Sequence, residues 1–195
     1  MLARERAFVD PPWESVLSVE ACIAEIPEDA TIAGMFYLAL LEGAKRRNVE
    51  LTLPRQRYVP FAFYSARDFA RSLVQAARSF YPGRSLRQAL REIGTAGPRA
   101  FAGSTLGKVT LGSACDVHTA VSAIANTYPV NIRPSGCVVT DKTARSMCVS
   151  LENIYYFLDS HHVGVFEGTL AHAGVQGRVR IASRSRISAD LLLEW

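Results

Sequence analysis

The sequence predicts an α+β fold in which N-terminal helices pack on a C-terminal antiparallel sheet, with one long helix before a terminal hairpin. Three observations carry this. Apolar residues recur at helical spacing through successive segments up to about residue 127. Beyond Tyr128-Pro129 the composition turns to valine-rich stretches that alternate in register. The stretch from Glu152 to Trp195 reads as an amphipathic helix, an alternating strand, a polar turn and an apolar strand. A helix whose apolar side must lie on the two strands that follow it forms a complete packing unit, to which the earlier helices add a roof.

Composition sets the outer limits. At 195 residues the chain suits one domain, 1–195, with a helical part over about 15–127 and a sheet-plus-helix part over about 128–195. Its apolar runs fall far short of the roughly 20 residues that span a bilayer. The opening MLARERAFVDPPWES alternates charges and lacks a signal-peptide apolar stretch, so a soluble, cytoplasmic protein with no membrane partner is expected. The cysteines Cys22, Cys115, Cys137 and Cys148 follow no CxxC rhythm and read as small buried hydrophobes. A net charge of +4 comes almost entirely from arginines scattered over several elements, which argues for a solvated basic surface and against a nucleic-acid partner.

The elements follow in order. Ser18 is placed to cap a short helix that Pro27 ends, with Ile23 and Ile26 inward. Asp29 or Thr31 is expected to start a helix through TIAGMFYLALLEGAKRRN, whose terminal Lys45-Arg46-Arg47 complements the helix dipole. LPRQRYVPFAFY, bracketed by Pro54 and Pro60, reads as an extended aromatic connector packing Tyr58, Phe61 and Tyr64. Ser65 with Asp68 opens a helix whose Phe69, Leu73, Ala76, Ala77 and Phe80 share one face, with Arg67, Arg71 and Arg78 toward water. Ser85 with Gln88 opens the next, which Gly94 is expected to end in a left-handed cap, and Gly97-Pro98 then opens a short helix over Ala100 to Leu106.

DVHTAVSAIAN, from Asp116, is a small-residue helix with Val117, Val121 and Ile124 inward. CVVTDKTARSMCVSL reads as two strands joined at DKTA. Asp159 or Ser160 caps the organising helix, with Val163, Phe166, Leu170 and Ala173 inward, and Gly174 closes it. GRVRIAS alternates buried Val179 and Ile181 with wet Arg178 and Arg180, and SRSRIS turns into ADLLLEW.

Several stretches resemble a paralogous family of unknown function expanded in myxobacteria: IPEDATIAGMF, RYVPFAFYSARDFARSLVQAARSFYPGRSLRQALREIG, and FLDSHHVGVFEGTLAHAGVQGRVRI. The likeness covers nearly the whole chain, and it implies an architecture without an assigned activity. At the level of fold, the order of helix, strands, helix and terminal hairpin resembles the superfamily of haem nitric-oxide/oxygen-binding domains, four-vinyl-reductase-type sensors and vesicle-tethering subunits. Such domains sense ligands or dock partners through a space between helices and sheet, so the resemblance implies sensing or docking here, by analogy.

His118 is the residue with the sharpest alternative role. HTAVSAIANTYPVNIRPS is similar to the haem-binding branch, where a proximal histidine on a helix precedes Tyr-Pro and an Arg, which would make His118 the iron ligand. Two departures oppose this. The gap from His118 to Tyr128 is about one helical turn longer than in that branch, and Asn153 to Phe157 offers no Tyr-x-Ser-x-Arg signature for propionates. A metal site from Cys115, His118 and Cys137 or Cys148 lacks the second close pair that structural zinc uses. His161, His162 and His172 read as surface or boundary residues, and Asp159 as a cap instead of half of an acid–base pair with Glu167. Gly103 to Lys108 resembles a phosphate loop only in outline, because Val109 stands where Ser or Thr should.

No catalytic set stands out. The expectation is a non-enzymatic, cofactor-free sensory or interaction domain that binds a small apolar ligand or a protein partner. Candidate ligand contacts are Val117, Val121 and Ile124, with Tyr128 and Arg133 beside them. A haem-dependent gas sensor using His118 is the alternative. Homodimerisation is also expected, to cover an exposed edge of the hairpin or an apolar helix face.

Overall fold

A computed structural model describes residues 7–103, 107 and 116–195. Helices α1 (Val19–Ala24), α2 (Gly34–Arg47), α3 (Ala66–Phe80) and α4 (Leu86–Ala102) precede α5 (Val117–Asn131), and α6 (Val163–His172) follows a π-helical turn at Leu158–His162. Two antiparallel sheets accompany them. A small one joins β1 (Thr31–Ala33), β2 (Phe63–Ser65) and β3 (Ile132–Arg133) in the order β2-β1-β3. The larger has β4 (Gly136–Lys142), β5 (Ser146–Glu152), β6 (Arg178–Ser183) and β7 (Ala189–Glu194) in the order β4-β5-β7-β6. The expected C-terminal unit is therefore present: α6 runs onto the sheet that the following hairpin completes. Val9 adds a two-hydrogen-bond bridge to Ile181 on the outer edge of β6.

Local signals give several boundaries directly. The hydroxyls of Ser65 and Ser85 accept from the amides of Asp68 and Gln88, capping α3 and α4. Gly174 adopts φ +77°, the left-handed conformation that closes α6. In β6 the side chains of Val179 and Ile181 are buried while Arg178 stays in water, and Arg180 is drawn to Glu194 of β7.

Other boundaries differ from expectation, each for a tertiary reason. Thr31–Ala33 is a strand, not the first turn of α2, because its backbone is claimed on both sides by Ser65–Phe63 and by Arg133–Ile132. The connector buries Tyr58 but leaves Phe61 65% exposed. Arg67 donates to the Ile26 carbonyl instead of facing open water. The β4–β5 turn comes after Lys142, one position beyond the DKTA centre, and α5 runs on through Pro129 to Asn131. The segment 104–106, expected as the end of a short helix, lies outside the described residues, as do Cys115 and Lys108.

The largest correction concerns Gly94. It does not end a helix; α4 runs unbroken through Gly94, Gly97 and Pro98. Gly94 serves instead as a point of close approach, since a Cβ there would stand 2.1 Å from the His161 carbonyl oxygen. Gly164 and Gly168 of α6 meet α4 in the same way, each 2.2 Å by that measure from the carbonyls of Arg91 and Thr95. Bulkier residues at these three positions would hold the helices apart. With the backbones in contact, Phe166 and Leu170 become fully buried, worth about 2 kcal/mol each. Arg91 clamps the pair by donating through Nε and Nη2 to Glu167 at 2.6 and 2.7 Å. Arg87 pairs with Asp159, so that carboxylate tethers the π-turn to α4 and does not act as the expected cap.

Candidate functional site

Asp116 starts α5, accepting from the amides of His118 and Thr119 at 2.8 and 3.1 Å and from the Thr119 hydroxyl. These hydrogen bonds favour the ionised carboxylate and hold its pKa below the usual range. The cap fixes His118 on the first turn, beside the β4–β5 connection. Its Nε2 lies 2.8 Å from the Thr143 carbonyl, its ring meets Trp195 edge-to-face at 5.1 Å, and Nδ1 is 3.6 Å from Asp116. Facing a carbonyl, Nε2 must carry the hydrogen and donate it. The Trp195 ring and the turn thus engage the imidazole on the protein's own groups.

Val117, Val121, Ile124 and Tyr128 come together on the buried side of α5. Arg133 does not join them; it is exposed beyond the helix end, its guanidinium 4.0 Å above the Phe63 ring. Among the described residues two open clefts stand out. One of about 440 Å³ runs between α1 and α3 past Ile23, Arg71, Val74 and Arg78; the other, of about 240 Å³, is lined by Ala33, Phe61, Phe63, Val130, Asn131 and Arg133. Of the expected contacts, Arg133 alone lines either one.

The interior between the layers holds a continuous train of rings. Tyr58 stacks on Tyr37 at 4.1 Å, Tyr37 meets Phe69 at 5.2 Å, and Phe69 meets Tyr156 at 5.7 Å. The train continues through His162 at 4.9 Å and Tyr128 at 5.5 Å to Phe166 at 6.0 Å. It links α2 and α3 to α5 and α6 through the π-turn.

His162 is 2% exposed, which overturns its expected place at the surface. Its Nδ1 shares a 3.0 Å hydrogen bond with the Tyr128 hydroxyl, while Nε2 is buried without a hydrogen-bond partner among the described residues. His161 is also drawn inward, with Nδ1 buried and likewise unpartnered. Burial pushes the His161 imidazole down to about 4, against the pull of the Leu90 backbone. Burial, and then the neighbouring His161, hold His162 well below the ordinary range. Both are therefore neutral at physiological pH. Burial also raises the Tyr128 and Tyr156 hydroxyls and the Cys137 thiol, so this cluster supplies no ready anion.

The sequence reading missed this polar knot because two adjacent histidines cannot both face inward on a regular helix. Here the wider π-turn, entered through Phe157 at φ 48°, lets both rings turn toward the core. Among the described residues no group of three or more His, Cys, Asp or Glu is arranged to hold a metal ion. No described helix is long and apolar enough to cross a membrane.

A family model described as "Protein of unknown function (DUF2378)" matches residues 26–195. No curated protein sequence matches the chain. Among solved structures the chain is similar to an Fe(II) unliganded H-NOX protein from K. algicida, with a TM-score of 0.62 at 14% identity over 84% of this chain and 96% of that one. It is also similar to an Fe(II) H-NOX protein from S. oneidensis carrying three substitutions, with a TM-score of 0.60 at 9% identity over 84% and 95%. The Fe(II)NO state of an S. oneidensis H-NOX protein gives 0.57 at 10% identity over 84% and 98%. At these identities the likeness is one of fold: the chain has an H-NOX-like mixed helix and antiparallel-sheet architecture.

Proposed function

The chain belongs to the DUF2378 family of proteins of unknown function, and from that premise we propose that it is a haem-free, non-enzymatic sensory or interaction domain, working through a protein partner or a small apolar ligand. The observation that carries this reading is the engagement of His118. A histidine ligates iron through a ring nitrogen that has a free lone pair. Nε2 of His118 is turned to the Thr143 carbonyl and must donate, and Nδ1 lies toward the Asp116 carboxylate. One turn further on, Val121 has no donor atom and is fully buried. The residues present do not fit a haem at this helix. The ring train through Tyr156, His162 and Tyr128 supports the same reading, because it occupies interior space between the layers.

The fold likeness supports sensing or docking as the role that remains once the cofactor is set aside. The two carboxylates weighed as an acid–base pair, Asp159 and Glu167, are each taken by an arginine of α4. A small apolar ligand at Val117, Val121 and Ile124 would have to open the buried side of α5, since these side chains line neither cleft. Haemin titration of the purified protein tests the proposal. The expected result is no sharp Soret band and no difference between the parent and His118→Ala. A Soret band that His118→Ala abolishes would overturn it. Native mass spectrometry would report in one measurement whether a small molecule or a second copy accompanies the chain.

A further inference from the structure

We propose that the cleft lined by Phe61, Val130 and Arg133 docks a protein partner that presents one bulky apolar side chain flanked by carboxylates. This rests on the reading of the domain as one that works through a partner, and it adds the surface and the partner's chemistry. The first argument is where apolar surface remains in water. Among the described residues six large hydrophobic side chains are exposed, and two of them, Phe61 and Val130, line this one cleft at 65% and 59%. Clustered apolar exposure of this kind marks interaction sites more often than scattered single residues do. Nor does it come from a loose loop. The turn carrying Phe61 is pinned to the start of α2, with the Gly34 and Met35 amides donating to the carbonyls of Ala62 and Pro60 at 2.8 and 2.9 Å.

Charge supplies the second argument. Arg87, Arg91, Arg178, Arg180, Arg184 and Arg186 each meet a carboxylate of this chain. Arg133 meets none among the described residues, and of the cationic side chains without such a partner it is the one that lines this cleft. A guanidinium held over an aromatic ring makes no hydrogen bond to it, so the N–H groups of Arg133 remain available to a carboxylate. No acidic side chain lines the cleft to compete, and its other polar side chain, Asn131, donates to the Thr127 carbonyl. Size then separates the occupants. The cleft, of about 240 Å³ and open to solvent, has room for one side chain of leucine or phenylalanine size and does not enclose its occupant.

The test is a fluorescence-anisotropy array of labelled peptides with Leu, Phe, Tyr or Trp between pairs of Asp or Glu, against the full chain. Expected is binding by at least one apolar centre, weakened about tenfold or more by Arg133→Glu or by Val130→Glu, and by exchange of the flanking acids for Asn and Gln. Val138→Glu, at an exposed apolar position on β4, leaves it unchanged. Circular dichroism melts confirm that each variant folds, and Val130→Glu keeps the test valid should Arg133→Glu not fold. The proposal is overturned if no peptide binds the parent more tightly than Val130→Glu, or if neutral peptides bind as well as acidic ones. It is also overturned if octanoate alone displaces the peptide completely, or if light scattering shows a dimer that Val130→Glu splits. A Soret band on haemin addition would sink the haem-free reading while leaving these outcomes to be read separately.

Discussion

Replacing Gly94 by alanine sets two opposed effects against each other. In a helix interior Gly→Ala gains about 1 kcal/mol from backbone entropy alone. At Gly94 the new methyl would lie 2.1 Å from the His161 carbonyl oxygen and 3.0 Å from the Val165 nitrogen. Both neighbours are backbone, so no side chain can swing aside, and α4 must move off the π-turn and α6 by roughly 1 Å to reach ordinary contact. A gap of that size forfeits between a quarter and a half of the dispersion attraction across an interface. It also strains the two short Arg91–Glu167 hydrogen bonds beside it. Overpacking of this kind costs about 1–3 kcal/mol and sometimes more. With contact at a backbone carbonyl the upper end applies, leaving a net loss of about 2 kcal/mol and a melting temperature lower by roughly 4–8 °C for a chain of this size. Gly43→Ala in α2 is the comparison, since its methyl would meet only movable side chains, the edge of the Phe80 ring at 3.3 Å and the Arg47 guanidinium at 3.9 Å, and should change stability by less than about 1 kcal/mol. Urea and thermal denaturation of the variants decide the matter. A Gly94→Ala protein as stable as its parent would refute the close approach of the two helices.

Acid should loosen the core before it reaches the surface carboxylates. In the unfolded chain an imidazole titrates near about 6.5, whereas in the fold His161 is held at about 4 and His162 well below the ordinary range. The unfolded state therefore takes up protons first: stability is full above about pH 6.5, declines as pH falls, and His161 alone accounts for about 3 kcal/mol by pH 4. Glu152 and Glu194, held low chiefly by hydrogen bonds from Arg184 and Arg180, lose their contribution only at still lower pH. Urea midpoints at pH 7.5 and pH 5 should differ, and His162→Phe should reduce that difference while His161 keeps part of it; equal midpoints in the parent would contradict two imidazoles held neutral by burial. Ser65→Ala removes the cap of α3 and should cost about 1 kcal/mol, seen as a small drop in melting temperature with the far-ultraviolet dichroism retained. Asn48, at φ 53° after α2, should tolerate Gly but lose up to about 1 kcal/mol as Ala, again by thermal melt.

What the sequence by itself determined is whatever depends on near neighbours along the chain. The Ser65 and Ser85 caps, the Gly174 stop and the two-residue alternation of Val179 and Ile181 act within one turn or one strand, so their signals survive without a fold. The helix-then-hairpin unit followed from them. Tertiary structure decided the rest, because long-range partners reassigned what local preference left open. Thr31–Ala33 became a strand when segments distant in sequence, Phe63–Ser65 and Ile132–Arg133, claimed its hydrogen bonds. Gly94, a plausible stop by propensity, became a contact because His161 came to lie against it. The candidate site divided along the same line: the buried face of α5 was legible from its periodicity. That Arg133 would stand apart, over Phe63 and beside the exposed Phe61, depended on a small sheet that no local pattern announces.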